Sequence, residues 1–285
     1  MKIALDPWMT RFDYSLDEMM HMAADTGYEW IEFAQRDDFW PYFTHPTAND
    51  AQVQRLKRLM RQTGVGLASC LPLYRWADPD EDARQAAVRY WMRAIDITVE
   101  LGCDQMNSEF TGDPAQRERS EAQFWKSMDV IIPRIEKEGI KLNIEPHPND
   151  FIERGVDAIH MIRAINHPNV GFLYCVSHAF HQEGTMREVM EYAGPDLKHL
   201  HISDTFDHRA SRGNRYILNP PGTDARVHQH LEIGDGEIDF EDFWQILDDV
   251  KFDGIATVAV FSQEDKMIPA YTNMLKILTD RLPKA

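Results

Sequence analysis

Ten of the twelve histidines in this 285-residue chain lie between residues 147 and 230, several of them where short apolar runs end. The run 141–147 closes on Glu145-Pro146-His147. Alternate side chains of a strand share a face, so Asn143, Glu145 and His147 point one way, and the last two reach the same rim. The run 170–175 leads into Val176-Ser177-His178, the run 197–203 holds His199 and His201, and His228-Gln229-His230 follows. A carboxylate and several imidazoles converging from neighbouring strands suit a divalent cation. Glu145, His178, His201 and His230 are the expected ligands. Manganese is the first expectation, with zinc, iron, cobalt or magnesium as alternatives. His147 shares a face with Glu145, and an unperturbed imidazole titrates near neutrality, so it is the expected general base. Glu109, with Asn107 on its face, is the second choice of base; it reads equally as a substrate ligand or the partner of a downstream arginine. His199, deeper in its strand, reads as a hydrogen-bonded core residue. His21, His160 and His167 read as surface positions.

Eight short apolar runs supply the elements that would position such groups. Apolar runs occupy 2–6, 30–35, 66–73, 105–110, 141–147, 170–175, 197–203 and 254–261. Each is short and bounded by turn residues, as in strands buried on both faces of a parallel sheet. Helical stripes lie between them: Leu16, Met19, Met20 and Ala23; Val53, Leu56, Leu59 and Met60; Val88, Trp91, Met92, Ile95 and Val99. A glycine recurs before the next strand (Gly27, Gly64, Gly102, Gly139, Gly194, Gly254), where a helix end takes a left-handed residue. Eight such units over residues 1–285 imply one α/β domain, a (β/α)8 TIM barrel, whose chemistry sits at the C-terminal ends of its strands. After the seventh strand, residues 206–236 form a long loop insertion rich in Gly, Pro, Arg and His. Loops of that length usually cover a site.

Thirty Lys and Arg against 47 Asp and Glu give a net charge of −17, which disfavours nucleic acid as a partner. Three cysteines, Cys70, Cys103 and Cys175, show no paired spacing and fit a reducing compartment. The opening Met1-Lys2-Ile3-Ala4-Leu5-Asp6 lacks a signal-peptide core, and no segment nears the ~18 apolar residues of a membrane span. The expectation is a cytoplasmic protein with no membrane partner. Trp8, Trp40 and Trp76 follow the first three strands, where aromatic walls suit sugar faces or simply pack. Arg209, Arg212, Arg215 and Arg226 in the insertion suit an anionic or polyhydroxylated substrate, or pair with surface carboxylates. Trp76, Arg209, Arg212 and His228 are the expected substrate-binding residues.

Taken together, NIEPHP at the fifth strand, a Cys-x-x-His unit at the sixth, and HLHISDT at the seventh carry a recognisable signature, completed by HQHLEIGDGEIDF. The chain resembles the sugar phosphate isomerase/epimerase superfamily, the xylose-isomerase-like TIM barrels that also include endonuclease IV. DDFWPYFTHP, YRWADPDEDARQAAVRYW, FLYCVSH and FDHRASRGNRYILNPPG resemble a narrower branch of inositol catabolism. Related barrels of that branch serve as catalytic subunits of C-glycoside deglycosidases. The resemblance implies a Glu–Asp–His–Glu cation site on strands five to eight. Here Glu145 and His201 match, while Cys175 and Ala259 stand at the aspartate and second glutamate positions. The cation is either lost or moved toward His178 with His228 and His230, and the supply of histidines favours the move. Cys175 is either a thiolate ligand or a small buried hydrophobe.

The implied activity is proton abstraction α to a carbonyl of a keto-sugar or cyclitol, through an enediolate stabilised by the metal. The outcome is isomerisation, epimerisation or elimination. One alternative is the catalytic subunit of a C-glycoside deglycosidase cleaving 3-oxo-C-glycosides by β-elimination, with a small β-subunit as partner. Another is a non-catalytic sugar-binding subunit. A homo-oligomer is compatible with each. A DNA-repair nuclease shares the fold, but Cys175, Ala259 and the net charge oppose it.

Overall fold

The computed structural model describes residues 1–180, 186–206, 230–261 and 263–282. Eight parallel strands close into a barrel in sequence order: β1 (Lys2–Leu5), β2 (Trp30–Phe33), β3 (Gly66–Cys70), β4 (Gln105–Glu109), β5 (Lys141–Glu145), β6 (Val170–Cys175), β7 (Leu197–Ile202) and β8 (Ile255–Val258). β8 pairs back onto β1 from Lys2↔Ile255 to Leu5↔Val258. Among the described residues nine α-helices follow the strands: α1 (Leu16–Asp25), α2 (Asp50–Thr63), α3 (Glu81–Leu101), α4 (Arg117–Glu138), α5 (Gly155–Ile165), the short α6 (Val176–Ala179), α7 (Met186–Ala193), α8 (Phe240–Val250) and α9 (Met267–Arg281). The expected (β/α)8 architecture is the observed one. Among the described residues no helix is long and apolar enough to cross a membrane.

Local chemistry starts the helices where the pattern placed them. Ser15 and Glu18 form a reciprocal cap on α1, and Asn49 and Gln52 do the same on α2. Gly64 ends α2 at φ +77°, a conformation that costs other residues a Cβ clash. Gly254 does not follow that rule. Its φ is not left-handed; instead a Cβ there would run into the Lys198 carbonyl, so close backbone approach of β7 explains the residue. The turn before it is made by Lys251 at φ +54°. In the α3 stripe, Val88, Trp91 and Ile95 are buried, but Val99 is exposed because the stripe drifts off the core face.

Trp76 was expected at the substrate. It is fully buried in the layer between barrel and helices, stacked on Trp91 at 4.5 Å, with its indole N–H donating to the Phe110 carbonyl at 2.8 Å. β3 ends at Cys70, earlier than the apolar run suggests, and the chain then folds back over α3. Trp40 is likewise buried, donating to the Ala34 carbonyl.

The segment after β7 is anchored at both of its ends. Asp204 and Leu231 exchange backbone hydrogen bonds of 2.8 and 2.9 Å. The Asp204 carboxylate accepts N–H groups from Thr205, Gly234 and Ile238. This knot places His230 beside the end of β8. Most of the expected lid, with His228, Arg209, Arg212, Arg215 and Arg226, lies outside the described residues.

Candidate active site

The barrel axis is polar and built around a residue that the sequence reading passed over. Glu32, on β2, is fully buried; it accepts His201 Nε2–H at 2.6 Å, Ser69 Oγ–H at 2.5 Å and the Asn107 amide. Burial alone would raise its pKa, but the His201 imidazole outweighs burial and holds Glu32 down to about 2. His199 sits one layer below, its Nε2 2.7 Å from Thr257 Oγ1, and burial lowers it to about 4. It is the hydrogen-bonded core histidine expected of its depth. The signal for Glu32 was available: in Trp30-Ile31-Glu32-Phe33, a single carboxylate interrupts an apolar strand.

Above this layer the four expected ligands come together. Glu145 Oε2 lies 3.1 Å from His201 Nδ1, and Glu145 Oε1 lies 3.5 Å from His178 Nδ1. His178 Nε2 lies 3.0 Å from His230 Nε2. His230 Nδ1 is 2.8 Å from the Ala259 carbonyl, which can only accept, so Nδ1 carries the proton and Nε2 turns its lone pair inward. Ala259 brings no carboxylate to the site, but its backbone carbonyl orients the His230 imidazole. Phe261 stacks on the other side of His230 at 4.3 Å.

Cys175, at the end of β6, completes the cluster. Its Sγ groups with Glu145 and His201, and separately with His178 and His230, each set with ligand atoms within 4.8 Å. Burial opposes charge on all of them, and with His178 beside it holds His230 well below the usual imidazole range. At the other members contacts within the cluster overcome it: Cys175 is lowered by His178 and His201, and Glu145 by His201 and His178. His178 is pushed up to about 10 by Cys175 and Glu145, and His201 is raised by Glu32 and Glu145. Glu145 Oε2 is buried without a hydrogen bond among the described residues, though it faces the His201 nitrogen. An oxygen, a sulfur and several nitrogens converging around such an atom fit a divalent cation. Inward Nδ1 with Nε2–H held by Glu32 is the usual posture of a metal-binding histidine.

His147 joins this cluster to open space. Its ring meets His178 edge-on at 4.3 Å, and its Nδ1 lies 2.9 Å from the Pro148 carbonyl, so Nδ1 carries the proton and the Nε2 lone pair faces Glu109 Oε1 at 3.6 Å. Burial and the neighbouring His178 lower His147 to about 3, which keeps the imidazole neutral. Burial, Asp150 and Glu145 hold Glu109 well above the usual carboxylate range. Asp150 is a second omission of the sequence reading: it is buried and accepts Thr111 N–H at 2.7 Å. His147, Glu109 and Asp150 line a cavity of about 810 Å³, whose far wall carries Trp8, Tyr42 and Arg11. The Arg11 guanidinium stacks 3.7 Å from the Trp8 ring. Of the three tryptophans after strands, Trp8 alone lines this cavity.

A closed parallel barrel with ionisable groups gathered at its C-terminal mouth is the architecture of (β/α)8 enzymes. The chain belongs to the xylose isomerase-like TIM barrel family, whose pattern matches residues 20–278. A comparison with curated proteins finds no match. Solved structures share the fold along their whole length. D-psicose 3-epimerase from Clostridium cellulolyticum H10, determined with D-tagatose, is 15% identical, with 100% of each chain covered and a TM-score of 0.78. The IolI protein with a bound zinc atom is 18% identical, with 100% of each chain covered and a TM-score of 0.74. The 3-keto-D-glucoside 4-epimerase YcjR from E. coli is 16% identical, covering 98% of this chain and 99% of that one, with a TM-score of 0.73.

Proposed function

We propose that this protein is a divalent-cation-dependent enzyme that moves a proton α to the carbonyl of a keto-sugar or cyclitol. The carrying observation is the adjacency of two groups of residues, Glu145, Cys175, His178, His201 and His230 on one side, and His147 with Glu109 on the other. His147 touches the first group and lines the cavity. Glu145, His178, His201 and His230, with Cys175 beside them, would hold the ion, which supplies Lewis-acid polarisation of the carbonyl. His147 Nε2 takes the α-proton, its tautomer fixed by the Pro148 carbonyl. Glu109, kept protonated by burial, gives a proton back from beside it. Trp8 and Tyr42 offer aromatic faces to a ring in the cavity. The psicose 3-epimerase, the zinc-bearing IolI protein and the 3-keto-glucoside epimerase support this class of chemistry. His228, Arg209 and Arg212, outside the described residues, remain proposed substrate contacts.

A second reading has its own support. A cavity of about 810 Å³ falls in the range of roughly 300–1,000 Å³ that holds drug-sized ligands, more than one sugar ring requires. A 3-oxo-glycoside would place its second ring against Trp8 and Tyr42, and proton removal would then expel that ring by β-elimination.

Metal-loaded protein incubated in D₂O with inososes, ketohexoses and 3-oxo-glucosides tests the proposal by NMR. Deuterium enters the α-position, chelation stops it, and His147→Ala abolishes it with metal content unchanged. Exchange at the wild-type rate in that variant refutes the base assignment. No exchange with any substrate, despite bound metal, favours a non-catalytic sugar-binding subunit.

A further inference from the structure

We infer that Cys175 ligates the ion as a thiolate and thereby selects zinc or cobalt over manganese and magnesium. This rests on the cation-dependent reading above and narrows it.

Three observations carry the inference. The Sγ atom is the one donor common to both sets of converging ligand atoms, Glu145–Cys175–His201 and Cys175–His178–His230. Its surroundings are polar, unlike those of a cysteine that only fills space. Cys103, by comparison, is buried against backbone, 3.4 Å from the Gln105 carbonyl. The spacing also fits. His178 Nε2 and His230 Nε2 stand 3.0 Å apart, near the ~3.3 Å expected of two nitrogens about 2.0–2.1 Å from a tetrahedral zinc.

Donor chemistry points the same way, the thiol losing its proton to solvent as the ion binds. Thiolate sulfur is a soft donor that favours zinc and cobalt, whereas magnesium and manganese favour carboxylate, carbonyl and water oxygens. The same position as aspartate would favour the harder ions.

Protein stripped with a chelator and reloaded with cobalt(II) or zinc(II) provides the test. The wild type should show thiolate-to-cobalt charge-transfer absorption, and its zinc absorption-edge fine structure should contain a sulfur scatterer at about 2.3 Å. Cys175→Ser should lose both sulfur signatures. Cys175→Asp should lower the zinc-to-manganese affinity ratio by roughly tenfold or more, a consequence of replacing a soft donor by a hard one. The wild-type spectra stand without the variants, so misfolding of a variant leaves the test intact. Cobalt or zinc bound through nitrogen and oxygen alone overturns the Cys175 assignment and leaves the cation-dependent reading standing. Failure of the wild type to bind any divalent ion overturns both.

Discussion

Replacing Glu32 by glutamine removes a charge that the substrate never meets, yet it should weaken the ion. Glu32 receives His201 Nε2–H at 2.6 Å and Ser69 Oγ–H at 2.5 Å, with the Asn107 amide donating to the same carboxylate. The His201 bond keeps Nδ1 turned toward Glu145 Oε2, 3.1 Å away. A hydrogen bond to a charged group contributes about 1.5–3 kcal/mol. Glutamine retains one acceptor oxygen, but its NH₂ group then opposes the donors from Ser69 or Asn107. Loss of a partner that orients a metal-binding histidine typically costs about 10- to 100-fold in affinity, or about 1.4–2.8 kcal/mol. Competition with a chromophoric chelator should therefore show Glu32→Gln binding zinc 10- to 100-fold more weakly. Glu32→Asp should recover part of the loss if its shorter carboxylate still reaches His201. Unchanged affinity in a folded Glu32→Gln variant would refute the argument that Glu32 acts through His201.

Two further outcomes follow from the same geometry. His201 lies between Glu32 and Glu145, which raise its pKa despite burial, so the proton and the ion compete for Nδ1. Ion affinity should rise with pH up to the raised His201 pKa, and titration calorimetry in buffers of different ionisation enthalpy should detect proton release; pH-independent binding without release would contradict this. Trp76→Ala should destabilise the protein by about 3–5 kcal/mol, the usual cost of deleting a buried tryptophan, while a folded sample keeps its KM. A large KM change with little loss of stability would restore Trp76 to the substrate wall.

The barrel was legible because parallel strands buried on both faces leave short, continuous apolar runs, and seven of the eight strands begin at the first residue of such a run. Period-2 alternation also brought Glu145 beside His147 and separated His201 at the rim from His199 in the layer beneath. What escaped depended on partners distant in sequence. Glu32 acquires its role from Ser69, Asn107 and His201, none of which its own strand reveals. Cys175 reads as either a thiolate ligand or a small hydrophobe until the barrel closes and surrounds it with imidazoles and a carboxylate. Trp76 misled because the apolar run extends past Cys70, where β3 stops and the chain turns outward. Gly254 marks contact with the Lys198 carbonyl, a relation between strands that no local pattern encodes.

Anomalous diffraction from crystals of the zinc-loaded protein tests the central claim most directly. The account predicts one strong peak at the barrel mouth, about 2.0–2.3 Å from donor atoms drawn from Glu145, Cys175, His178, His201 and His230. It would be contradicted by a peak at Glu109, His147 and Asp150 instead, or by full zinc occupancy elsewhere on the molecule with Glu145 and His201 in direct contact.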